Sequence, residues 1–156
     1  MVSDRIEREV YIAAPVSRVW EVVTEPKHVG MWFGNGEPAE IDLRPGGRIV
    51  FDHGDHGKLP ALIEKVEEPR YFSFRWAADG AGGREPTGPN ATLVEFILEP
   101  EGAGTRLRVI ESGFTEVIEE PEVVERRYAA NKAGWGRALL GLAKYAEFVG
   151  YDDEAA

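Results

Sequence analysis

The chain has 156 residues, 43% of them hydrophobic, with 18 Lys and Arg against 28 Asp and Glu for a net charge of −10; that is the balance of a folded protein with one real core, and it disfavours polyanions, because phosphate contacts supply most nucleic-acid affinity. Cysteine is absent, which excludes disulfides, thiolate metal sites and cysteine nucleophiles. No run approaches the length needed to span a bilayer and Met1-Val2-Ser3-Asp4-Arg5 is not an apolar signal segment, so nucleic acid and membrane insertion drop out and a cytoplasmic location is the default expectation.

Residues 5–13 alternate, with Ile6, Val10 and Ile12 on one side and Arg5, Glu7, Glu9 and Tyr11 on the other, which predicts a half-buried strand. Ala14-Pro15 ends it. Proline suits a first helical position, and Val16, Val19, Trp20 and Val23 recur at helical spacing, so a short amphipathic helix follows to about Thr24. A second short helix after Thr24-Glu25-Pro26 carries Trp32 and Phe33 near its end, where Gly34-Asn35-Gly36 breaks the pattern.

From residue 37 to 112 short alternating runs are separated by turn chemistry, the signature of consecutive antiparallel strands. Ala39-Ile41-Leu43 ends at Arg44-Pro45-Gly46-Gly47, Ile49-Phe51-His53 at Gly54-Asp55-His56-Gly57, and Leu59 to Val66 at Glu68-Pro69-Arg70. Phe72, Phe74 and Trp76 make an aromatic stripe on the next strand. The Gly- and Pro-rich connection 77–91 is too long for a tight hairpin and reads as a mobile loop. Val94, Phe96 and Leu98 share one face of a sixth strand. On the seventh, Thr105, Leu107, Val109 and Glu111 lie opposite Arg106, Arg108, Ile110 and Ser112.

After an acidic link, a long helix is predicted from Pro121 to Val149, ~40 Å at the usual rise. Tyr128, Asn131, Trp135, Leu139, Leu142 and Ala146 fall three or four apart and share one face, which must be buried against something. Glu119, Glu120, Glu122 and Glu125 suit the helix dipole near its start. The expected architecture is α+β: a curved antiparallel sheet of about seven strands wrapped around the C-terminal helix, with two short helices between strands 1 and 2. It reads as a single domain over 1–156, with a core at about 5–149 and an acidic tail at 150–156.

The aromatic residues admit two readings. Large rings in a half-filled core leave concave apolar walls suited to a ligand; equally, buried rings usually just pack. Glu111 shares the parity of Leu107 and Val109, so it can face inward and serve as an acid or base, with Glu64 or Arg75 orienting a substrate. The favoured alternative is a strand-end ion pair with an arginine. His53 is the other catalytic candidate, although a lone inward histidine is more often simply hydrogen-bonded. His53-Gly54-Asp55-His56 lacks a third ligand at metal-site spacing, so no metal is expected. Asn131 could hold a ligand carbonyl or an internal water. No nucleophile elbow or phosphate loop is present, so a binding role is favoured over an enzyme and no cofactor is expected.

Ala14-Pro15 with Val19-Trp20, Trp32-Phe33, Pro45-Gly46-Gly47, Glu64 to Pro69, Phe72-Ser73-Phe74-Arg75-Trp76, Gly113-Phe114 and Gly134-Trp135 with Leu139 and Leu142 resemble, in that order, the SRPBCC helix-grip superfamily. Within it the pattern is most similar to bacterial relatives of the activator of the heat-shock-protein-ninety ATPase. The resemblance spans about residues 5–148. It implies a seven-stranded sheet gripping the last helix around an elongated cavity that takes a small apolar, aromatic or amphipathic ligand. The cavity set is then Trp20, Trp32, Phe33, Phe51, Phe72, Phe74, Trp76, Phe96, Glu111, Phe114, Tyr128, Asn131, Trp135 and Leu139, with the mouth toward Tyr128 and Phe114. The family also includes cyclases, hydrolases and chaperone activators, so a stress-related co-chaperone is a second expectation and an enzyme a third. The chain is expected to be a monomer or homodimer.

Overall fold

Two periodicities in the sequence, alternation and helical spacing, become one sheet and one long helix. The computed structural model describes residues 3–77 and 85–155. In chain order, β1 (Arg5–Ile12) leads into α1 (Val16–Thr24) and α2 (Pro26–Trp32). β2 (Glu40–Ile41), β3 (Arg48–Asp52), β4 (Lys58–Glu67), β5 (Tyr71–Ala77), β6 (Ala91–Glu101) and β7 (Gly104–Ser112) follow, and α3 (Pro121–Ala155) completes the set. The seven strands form one curved antiparallel sheet in the order β1-β7-β6-β5-β4-β3-β2. β1 is therefore an edge strand paired only with β7, through Ile6 opposite Glu111 and Val10 opposite Leu107.

The helix meets the sheet by the face its spacing predicts. Trp135, Leu139, Leu142 and Ala146 are buried against β-strand residues such as Phe96, Leu98 and Leu107. The outer face of the sheet instead carries ion pairs, among them Arg106–Glu101 at 2.7 Å and Arg108–Glu7 at 3.6 Å. Exposed pairs of this kind contribute little to stability, so the inner apolar layer carries the fold.

α3 also closes the open side of β1. The Tyr128 hydroxyl donates to the Arg5 carbonyl at 3.2 Å, and the Arg8 guanidinium donates to the Lys132 carbonyl at 3.3 Å. The Ala13 amide donates to Glu147 Oε2 at 2.8 Å. One backbone acceptor of β1, the Arg5 carbonyl, and the amide just past its end are thus taken up inside the molecule rather than presented to another chain.

Four boundaries differ from the sequence expectation. The helix predicted to stop at Val149 runs to Ala155, so the expected tail at 150–156 is helical backbone as far as the described residues go. β2 is only Glu40–Ile41 rather than the full Ala39–Leu43 run, since only those residues find a partner on β3. Gly54–His56 winds into a short 3₁₀ turn instead of a simple hairpin bend. Of the connection 77–91, residues 78–84 lie outside the described residues. The rest is not a loose loop: Asn90 accepts from the Thr87 amide at 2.7 Å, and the Pro89 carbonyl accepts from the Ile118 amide at 2.8 Å.

The α2 exit is tightly packed. The Gly36 amide donates to the Gly30 carbonyl at 2.9 Å, and a Cβ on Gly30 would collide with the Glu37 carbonyl oxygen. Backbone lies on both sides of that contact, so neither can yield cheaply. Gly30→Ala is expected to cost about 2 kcal/mol by overpacking, read as a lower urea midpoint at unchanged slope.

Candidate functional site

The interior between sheet and helix is aromatic because inward positions on several elements carry rings at once. β5 supplies Phe72, Phe74 and Trp76, β3 supplies Phe51, β6 supplies Phe96 and α3 supplies Trp135, each buried. Phe72 and Phe96 stack at 4.8 Å, and Trp76 stacks on Trp135 at 5.6 Å with planes 23° apart. Phe33, just past the end of α2, lies alongside both indoles. Its ring is 5.7 Å from Trp135 with planes 5° apart, and 6.3 Å from Trp76 with planes 26° apart. Phe51 and His53 present their rings to Phe33 nearly at right angles, at 5.0 and 4.9 Å.

These rings fill most of the space they enclose. The remaining cavity is ≈ 10 Å³, room for about one water, and is lined by Val23, Val29, Trp32, Phe33, Ile41, Ile49, Phe51, Phe72, Phe74, Phe96 and Trp135. Trp32 and Phe33 are the half-buried rings in that wall; the other rings are buried. Val23, Val29, Ile41 and Ile49 were not among the sequence candidates, although helical spacing on α1 and strand parity on β3 point Val23 and Ile49 inward.

The other candidates sit elsewhere. Trp20 donates from Nε1 to Glu68 at 3.0 Å and borders a separate open groove of ≈ 560 Å³. Phe114 packs edge-on against Tyr128 at 5.2 Å, and neither touches the internal cavity. At that end, where the mouth was expected, an open groove of ≈ 380 Å³ borders Phe114 apart from the internal cavity, and Tyr128 is tied to β1. Leu139 is buried without lining the cavity. Glu64 and Arg75 pair with each other at 3.4 Å on the exposed side of the sheet, so neither reaches inward. Among the described residues no group of three or more His, Asp or Glu could hold a metal ion.

Glu111 departs from the favoured ion-pair expectation. Its side chain is fully buried, and none of the described ion pairs includes it. Four neutral side chains from three elements donate to it instead. Trp135 Nε1 reaches Oε1 at 2.9 Å, Trp76 Nε1 and the Thr92 hydroxyl reach Oε2 at 2.9 and 2.6 Å, and Asn131 Nδ2 lies 3.2 Å from both oxygens. Burial pushes the carboxyl above its ordinary value, against the pull of these donors. Thr92 was missed in the sequence, yet it shares the inward parity of Val94 and Phe96. A signal was available: two inward tryptophans need an acceptor for their N–H groups, and Glu111 is an inward acceptor of matching parity.

Comparison with known proteins adds to this geometry. The family model described as Activator of Hsp90 ATPase homolog 1-like protein matches residues 13–147. DynU16, a protein of the dynemicin biosynthetic locus, is similar at 28% identity with a TM-score of 0.73; the match covers 94% of this chain and 48% of DynU16. The chain thus spans about half the length of that protein. CalU16 from Micromonospora echinospora is similar at 26% identity and TM-score 0.65, over 91% of this chain and 75% of its own. The Aha1 dimer from Colwellia psychrerythraea, at 20% identity and TM-score 0.70, covers 94% of this chain and 97% of its own and shares the fold. No curated protein matches the sequence.

Proposed function

Since the chain belongs to the Activator of Hsp90 ATPase homolog 1-like family, within the SRPBCC helix-grip superfamily, we propose that it binds a small apolar or amphipathic molecule between the curved sheet and α3. The observation that carries this reading is the convergence of rings from α2, β3, β5, β6 and α3 on one residual cavity. A cavity of ≈ 10 Å³ admits no organic ligand as it stands, so binding requires wall side chains to give way. Phe33, half-buried at the solvent border, is the one placed to do so, whereas the equally half-buried Trp32 is held by its Nε1 donation to the Val22 carbonyl at 2.8 Å.

Glu111 favours binding over catalysis. Both of its oxygens already accept from fixed donors, so an acid or base role would first have to break that set. Asn131, which donates to both oxygens, is half-buried and is the donor best placed to turn toward a ligand carbonyl.

The test is native mass spectrometry and thermal shift against a panel of lipids and aromatic metabolites. A ligand at a hundredfold excess over its Kd should add about 2.7 kcal/mol of stability. No bound species and no shift across the panel would sink the reading. The family description itself favours a second reading, contact with a chaperone ATPase. An unchanged ATPase rate of the bacterial chaperone at saturating protein, with no complex in pull-down, would remove it.

A further inference from the structure

We propose that the Phe33 side chain is a built-in occupant of the ligand site, and that a planar aromatic ring binds by taking its place. This rests on the cavity reading above and narrows it to a ligand class.

Phe33 differs from its neighbours in how it is held. Trp76 and Trp135 are buried, and each indole N–H is pinned to Glu111 at 2.9 Å, so these two walls are fixed in position and tilt. Phe33 has no such tether. Its ring is half-buried, it follows the last residue of α2, and its contacts with Trp135, Trp76, Phe51 and His53 are made ring to ring.

The backbone beneath it does not need to move. The Phe33 amide donates to the Val29 carbonyl at 2.9 Å, and the next turn is locked to Gly30. Rotation about the side-chain bond is therefore the motion available. What the ring would vacate is flat: two near-parallel indoles along it, with Phe51 and His53 closing the edges. Offset stacking on indoles selects a planar π-system over a saturated ring of equal size. The departing phenyl ring frees space for one ring of an entering π-system, with any further ring reaching out toward the solvent border that Phe33 occupies; the residual ≈ 10 Å³ cavity by itself could not accommodate either.

The experiment titrates the full chain with 2-naphthol and with decahydro-2-naphthol, its saturated counterpart, and follows tryptophan fluorescence. In parallel, 4-fluorophenylalanine at position 33 in otherwise unchanged protein reports the ring's surroundings by fluorine NMR. The expected result is quenching by 2-naphthol, a fluorine signal that moves to the solvent-exposed position as 2-naphthol binds, and weaker binding of the saturated probe. Phe33→Ala should bind 2-naphthol ~10-fold more tightly, the gain when an outward state held by about a tenth of the molecules becomes the only one. Binding of 2-naphthol with a stationary fluorine signal and the same affinity in Phe33→Ala would overturn the displacement and leave the cavity reading standing. Equal binding of both probes would overturn the planar class. Binding of neither probe, to either protein, overturns the inference; the cavity reading falls only if the wider ligand panel is silent as well.

Discussion

Trp135→Ala is expected to lower the unfolding free energy by about 4 kcal/mol, within the range for deleting a buried indole. The ring is 3% exposed and touches Phe33, Trp76 and Phe96, so its removal opens a hole that rigid neighbours cannot close. It also takes one of the donors from a buried carboxyl. For a chain of this size the loss corresponds to a drop of roughly 8–16 °C in Tm. Trp135→Phe shifts the balance between the two effects, because it keeps an aromatic ring in place while removing the N–H and part of the indole; it should cost about 2 kcal/mol, the lost hydrogen bond and the smaller ring together. Urea titration of both variants is the check. A loss below about half a kcal/mol for the alanine variant would contradict the burial on which the whole site depends.

Glu111→Gln is expected to cost about 3 kcal/mol at neutral pH, although it changes the shape of the side chain very little. The amide would bring two hydrogens into a nest where both tryptophans can only donate, leaving buried donors face to face. The pH dependence has a definite sign. Because burial raises the folded-state value above the ordinary 4.5, the folded chain holds its proton where the unfolded chain has lost it. The stability that Glu111 contributes is therefore full below the ordinary value and is lost as pH rises through the folded one. Subtracting the curve of Glu111→Leu from that of the unaltered protein isolates this contribution, since Asp4, held below its ordinary value by Thr115, works in the opposite sense in both. A difference curve that rises with pH would mean that the donors outweigh burial.

Much of this fold is legible in the sequence where a single element decides the matter. Trp135, Leu139, Leu142 and Ala146 share a face by spacing alone, and that face is the one buried. Phe72, Phe74 and Trp76 point inward by parity alone. What depends on several elements at once is not legible in this way. Whether the rings leave a chamber or fill it depends on where Phe33 settles between β3, β5 and α3, and its spacing says nothing of that. Glu111 is an instructive case: its inward parity is plain, but its partners Trp76, Thr92, Asn131 and Trp135 come from three elements, so an arginine partner was the simpler guess. The tie of the Tyr128 hydroxyl is hidden for a similar reason, because its acceptor lies on β1, far from it in sequence.

The place of β1 at the sheet edge also bears on the order in which the molecule can assemble. β3, β4 and β5 are joined by short turns and can pair as each leaves the ribosome. β1 is made long before its partner, because β7 starts only at Gly104, and its other side is covered by α3, which starts at Pro121. The first strand therefore spends most of synthesis with both sides open, and its pairing is a long-range, entropically costly closure that local turns cannot prepare.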